Sequence, residues 1–250
     1  MDPEPTPSAP PVDAKRAVHP IERAAAILEV ILCSGFPTQV IVITLMAASG
    51  MKMRQPNGEL SAAFVFTLTL LDTVLLVSLI VFFMRAHREG VRETLFAHAE
   101  TAREVAYGFL LIPLSFLLVI LVLVAVQLTV PSLRNVLHNP LQDLARTRAE
   151  VIVFGFVAMV AGGVREEMQR GFVLRRFERY LGGAIVGLVL FSAVLGLGHL
   201  EQGYDVALAT AVLGAFWGGI YLVRRSILAP MIGHAGFNLA QVVKFVTMGM

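Results

Sequence analysis

Cysteine is almost missing from this 250-residue chain. Cys33 is the one residue of its kind, which excludes an intrachain disulfide framework and a Cys-rich zinc site. Charge is also scarce. Asp, Glu, Lys and Arg make up 15% of the residues, against about 25% in soluble domains, and this excludes an ordinary soluble globular fold. Nor is the balance one-sided: the net charge is +2 and the basic residues are scattered. A nucleic-acid binder would gather them in one patch, so no nucleic-acid partner is expected. What the chain has in quantity is apolar: 56% of its residues are hydrophobic and the mean hydropathy is +0.74. The ruler for such a chain is the bilayer, where a spanning helix needs roughly 20 mostly apolar residues.

The pattern predicts an all-α, polytopic membrane helix bundle of about seven transmembrane helices (six to eight). Residues 1–20 hold six of the twelve prolines and show no apolar periodicity, which predicts a disordered Pro-rich tail. A signal peptide is not expected, because no apolar stretch begins before Arg23. Apolar segments then fall near 24–49, 62–84, 106–130, 150–180, 184–203, 206–223 and 227–248. Residues 21–130 thus form an N-terminal group of helices and residues 150–248 a second group. In the first group Glu29 and Asp72 are the exceptions to an ordinary apolar pattern. Between spans two and three, Val91, Leu95, Phe96, Ala102 and Val105 would share one face of a helix near 85–105, the pattern of an interfacial helix. With seven spans, twelve Lys and Arg residues fall on the side of the N-terminus and six on the other. By the positive-inside rule that places the N-terminus in the cytoplasm, in a multi-pass protein of a bacterial cytoplasmic membrane. No internal repeat supports a transporter.

The fourth segment breaks the rule that charge is costly in a bilayer. An apolar run from Val151 to Val164 leads into Arg165, Glu166, Glu167 and Arg170. Glu166 and Arg170 stand at i,i+4 and Glu167 and Arg170 at i,i+3, so either pair can bond along the helix. The two glutamates point about 100° apart, and one arginine cannot hold both; one carboxylate must face something else. The candidates are His199, at the end of L-F-S-A-V-L-G-L-G-H, and His234 with Asn238, in H-A-G-F-N. Glu166 precedes Gly182 by sixteen residues and His199 follows Gly183 by sixteen. On antiparallel helices both lie roughly 24 Å from that turn. Asn238 reaches a similar depth.

Taken in order, R-E-E-M-Q-R-G-F, L-G-L-G-H and H-A-G-F-N resemble the three motifs of the CPBP, or Abi, intramembrane proteases. That family includes the type II CAAX prenyl endopeptidases and bacterial bacteriocin-processing relatives. The likeness covers about residues 150–240. The family motifs are Glu-Glu-x-x-x-Arg, Phe-x-x-x-His and His-x-x-x-Asn. Here Met168 and Gln169 alone separate Glu167 from Arg170, and Leu195 stands for Phe. Matched on the glutamate pair, Glu166 is the catalytic glutamate and Glu167 the partner of Arg170. Matched on Arg170-Gly171, Glu166 is the arginine's partner and Arg165 falls at the catalytic position. The first match is preferred, since a protease needs a free carboxylate.

The resemblance implies hydrolysis of a peptide bond within the membrane, in CAAX-type or leader-peptide processing, on a peptide or protein substrate that some members require to be prenylated. A carboxyl in a low-dielectric site is suited to act as general base on water. The expected roles are Glu166 as base, Glu167 and Arg170 as orienting pair, His199 as water positioner, and His234 with Asn238 as oxyanion support. No cofactor is expected. The alternative is a zinc-dependent version with Glu166, His199 and His234 as ligands around an open position; the absence of a His-Glu-x-x-His signature disfavours it. The rival outside catalysis is an inactive membrane scaffold or immunity protein whose polar cluster binds a partner helix, which the shortened first motif favours.

Overall fold

The computed structural model describes residues 18–96, 100–136, 139, 141 and 144–248. All but the last three residues of the Pro-rich segment 1–20 lie outside that range. Among the described residues there is no β-strand; Arg54 and Leu60 make one isolated bridge. Ten α-helices of the described residues carry the fold: α1 Pro20–Leu32, α2 Phe36–Ala48, α3 Ala62–Ala86, α4 Val91–Leu95, α5 Thr101–Thr129, α6 Arg148–Met159, α7 Glu167–Tyr180, α8 Ala184–Leu197, α9 Tyr204–Arg224 and α10 Leu228–Met248. Between α6 and α7 the chain runs without a break through a π-helix, Val160–Glu166.

The starts of several helices are written locally. His19 and Glu22 form a capping box ahead of α1 with Pro20 at its first position, Ser61 caps α3, and Thr147 and Glu150 close a second capping box on α6. Each supplies acceptors for orphan N–H groups of a first turn. The turn between α7 and α8 falls at Gly182-Gly183, where the pattern places it.

The apolar segments all become helical, and the chain is an integral membrane protein built as a helical bundle. By length and apolarity α3, α5 and α9 can each cross a membrane, and α1 with α2, bent by 41°, can count as a fourth span. The remaining helices complete the bundle: α7 is rich in charge and α8 has 14 residues. Apolar side chains such as Leu128 and Val223 stay 79% and 84% exposed, which water would penalise and lipid tails would not.

Two expectations need correction. Residues 85–105 do not form one interfacial helix. α3 continues to Ala86, the left-handed Arg88 (φ 56°) and Gly90 end the helical path, and the short α4 buries Leu95 in the core, with α5 beginning at Thr101. Periodicity cannot tell a lipid-facing stripe from one that packs on protein. His199 does not sit within a continuous span either; α8 ends at Leu197 and His199 precedes a 3₁₀ turn, Leu200–Gln202.

Candidate active site

The site begins with the π-helix. Its wider winding ends at Glu166, so Arg165, Glu166 and Glu167 leave the helix in different directions at the junction with α7. The π-helix packs closely on α10, and Gly162 permits it. A Cβ there would stand 2.7 Å from His234 Nε2 and would also overlap the Asn238 amide nitrogen.

Glu167 and Arg170 are both fully buried and form the ion pair at i,i+3. The one-residue shortening of the motif therefore still leaves this pair within reach on the helix. The Arg170 guanidinium also lies over the rings of Phe191 and Trp217, at 5.4 and 5.8 Å from their centroids. His234, on α10, places Nδ1 2.8 Å from Glu167 Oε1. An ionised carboxylate only accepts, so Nδ1–H donates and the other ring nitrogen, Nε2, faces Glu166 Oε2 at 3.9 Å.

Glu166 is different from its neighbour. No Lys or Arg nitrogen of the described residues lies within 4 Å of it, its side chain is 16% exposed, and it lines a cavity of about 500 Å³. His199, His234 and Asn238 line the same cavity, with Trp217, Gln202, Gln241 and Lys244. His199 Nδ1 is 2.9 Å from the Leu195 carbonyl, so Nδ1–H donates there and Nε2 is left as an acceptor. Asn238 Nδ2 donates to the Ala158 carbonyl at 3.0 Å, leaving its second N–H and its oxygen uncommitted. The structure thus brings Glu166, His199, His234 and Asn238 to one cavity, and holds Glu167 and Arg170 in the wall behind it. The cavity extends along α10 to Lys244, away from the Arg224-Arg225 turn.

Trp217 is a residue that the motifs do not reveal. It stacks on His234 with ring centroids 3.8 Å apart and donates its N–H to Ser115 Oγ at 3.2 Å. As the chain's one tryptophan, in a Gly-rich helix, it was the available signal. Arg165, the alternative occupant of the catalytic position, points elsewhere: its Nε binds Asp72 Oδ2 at 2.7 Å.

A zinc ion would need donors near 2.0–2.2 Å converging on one point. Among the described residues no three His, Cys, Asp or Glu side chains are so grouped. In the reaction proposed below Glu166, His199 and His234 act on water directly, and no step passes through a metal.

Comparison with known proteins gives one assignment. Residues 148–240 match the family described as Type II CAAX prenyl endopeptidase Rce1-like. That segment contains α6, the π-helix and every motif residue above. No curated protein and no solved structure matches the chain.

Proposed function

We propose, from the match of residues 148–240 to the Rce1-like type II CAAX prenyl endopeptidase model, that this chain is an intramembrane endopeptidase that hydrolyses a peptide bond with water activated by Glu166. The observation that carries the reading is the contrast inside the R-E-E motif: Glu167 is spent on Arg170 and His234, while Glu166 faces the cavity with no Lys or Arg of the described residues within 4 Å. A carboxylate so placed is free to take a proton from water.

In the proposed reaction, water sits between Glu166 and the Nε2 acceptors of His199 and His234. Glu166 removes one proton as the hydroxyl oxygen adds to the scissile carbonyl. The second N–H of Asn238 donates to the oxyanion. One such donor contributes about 2.7–4 kcal/mol to the transition state. Glu166 then gives the proton to the leaving nitrogen, the C–N bond breaks, and the products are a carboxylic acid and an amine. Glu167 and Arg170 act through His234, fixing its ring and tautomer. The substrate class proposed is a CAAX-type or leader peptide presented within a bacterial cytoplasmic membrane.

The test is cleavage by the purified protein in lipid nanodiscs, read by mass spectrometry, with a prenylated CAAX peptide and, separately, a bacterial leader peptide. Glu166→Gln should lower the rate by about 10²–10⁴-fold with an unchanged thermal midpoint. Retained activity removes the role of Glu166. Activity lost to a chelator and restored by zinc overturns the metal-free mechanism. No cleavage of either peptide favours the scaffold.

A further inference from the structure

Asp72 lies on α3, outside the matched segment 148–240, yet it meets the residue next to Glu166. Arg165 turns away from the cavity, and its guanidinium enters the bend between α1 and α2. Its Nε binds Asp72 Oδ2 at 2.7 Å, with side chains 11% and 3% exposed. The receiving pocket is built for it. Thr38 Oγ1 lies 2.5 Å from Asp72 Oδ1 and 3.0 Å from the Gly35 carbonyl. Gly35 has φ +90°, and a Cβ there would stand 2.6 Å from Arg165 Nη2. One turn on, Gln169 Nε2 donates to the Cys33 carbonyl at 2.7 Å. Two side chains of the π-helix–α7 segment thus plug the α1–α2 bend.

We infer that Asp72 is a positioning residue for Glu166: by binding Arg165 in that bend it keeps the adjacent carboxylate free of a cation and facing the cavity. This rests on the reading of Glu166 as the base. The physical reason is charge. A guanidinium cannot be neutralised by losing its proton, and left unpaired one residue from a carboxylate it favours the ionised form and draws off its lone pairs. The Asp72 carboxylate cancels that field from behind. The other charged groups around Glu166 do not replace it. His234 faces it from α10, His199 faces it across the cavity, and Lys244 lies farther along α10; Arg170 on α7 is already bound by Glu167. The N-terminal helices therefore supply part of the site's electrostatics and not only its anchorage.

The experiment labels the full-length chain in nanodiscs with dicyclohexylcarbodiimide, which reacts with protonated carboxyl groups in apolar surroundings. Adducts on Glu166 are measured by peptide mass spectrometry as a function of pH, so no substrate is needed. Asp72→Asn should lower Glu166 labelling about tenfold at a given pH. Arg165→Met should leave the curve in place or move it the opposite way. The double variant D72N/R165M should return to the wild-type curve, and cleavage should follow the same order. A clamp that only holds the fold together would make both single variants change in the same direction, and that result overturns the inference, as does a D72N curve superimposed on wild type. Should D72N fail to fold, the double variant decides, because removing both members of a buried pair is tolerated where removing one is not. Labelling lost in the double variant sinks the proposal. Labelling as expected without any peptide cleavage keeps this inference and discards the hydrolase reading. Cleavage that depends on Glu166 with labelling unmoved discards this inference alone.

Discussion

Two regions of the molecule treat buried charge in opposite ways. At the end of the bundle near the Gly182-Gly183 turn, carboxylates take two basic partners each. Glu29 holds Arg176 at 2.5 Å and His87 at 2.6 Å, Glu89 holds Arg176 at 2.7 Å and Arg179 at 2.5 Å, and Glu178 holds Arg225 at 2.7 Å and Arg175 at 3.1 Å. In the cavity, twelve residues before Glu178 on the same continuous helical rod, Glu166 has no arginine or lysine of the described residues within 4 Å. The chain has the means to neutralise carboxylates and does not use them there. A carboxylate kept in a largely apolar setting without an arginine or lysine is expensive, so the region that keeps one is the region where chemistry is expected. The paired end holds the helices together.

The comparison breaks most visibly at Arg176, which is fully buried and shared by Glu29 and Glu89. Arg176→Met should destabilise the fold by about 3–5 kcal/mol, because it leaves two carboxylates without their common cation. The activity of the molecules that remain folded should be unchanged. Denaturation monitored by tryptophan fluorescence, alongside cleavage normalised to folded protein, checks both halves. A variant of full stability that loses cleavage would erase the distinction between the two regions.

A smaller effect, of the opposite kind, is expected from Gly162→Ala. The added methyl meets His234 and Asn238, and overpacking of this sort costs about 1–3 kcal/mol. Displacing those two side chains by about 1 Å should lower cleavage by about 10²-fold. The thermal midpoint and the rate, measured on one preparation, test this. Equal losses in G162A and R176M, per folded molecule, would show that the cavity is no more sensitive than the ion-paired end.

Some of this division is legible in the sequence. The apolar segments read as helices because length and hydropathy are local properties. Glu29 and Asp72 stand out in the first two spans for the same reason, and the i,i+3 spacing of Glu167 and Arg170 offers a pair on any helix. The motif residues Glu166, His199, His234 and Asn238 can be nominated from spacing and depth, which a regular rise per residue makes calculable. What stays hidden is non-local. Arg165 and Asp72 are 93 positions apart, and Arg176 and Glu29 are 147 apart. No periodicity links them. The bend at Cys33-Ser34-Gly35 divides an apolar segment that composition alone reads as one span. The π-helix is hidden for another reason: its winding follows from how Gly162 and Gly163 pack on α10, and the residues themselves are compatible with an α-helix.

The mildest test lies at the paired end, on the last polar turn of α7, outside the helices long and apolar enough to cross a membrane. Burial alone would raise the proton affinity of Glu178, but the hydrogen bonds and charges of Arg225 and Arg175 outweigh it and hold the carboxyl below its ordinary pKa. Its ionised form is therefore favoured by folding. The stabilisation is complete above the ordinary glutamate value and is lost as the pH falls through the lower, folded-state value. The partners are partly exposed, with Arg225 at 52% and Arg175 at 38%, and solvent screens such a pair, so the whole effect should stay within about 1 kcal/mol. Glu178→Gln should then match wild type in acid and fall slightly below it at neutral pH. Thermal midpoints of the two proteins compared across that range report the difference. Cleavage by E178Q should equal wild type throughout, because the ion pairs that Glu178 joins belong to the end of the bundle that holds the fold and not to the cavity.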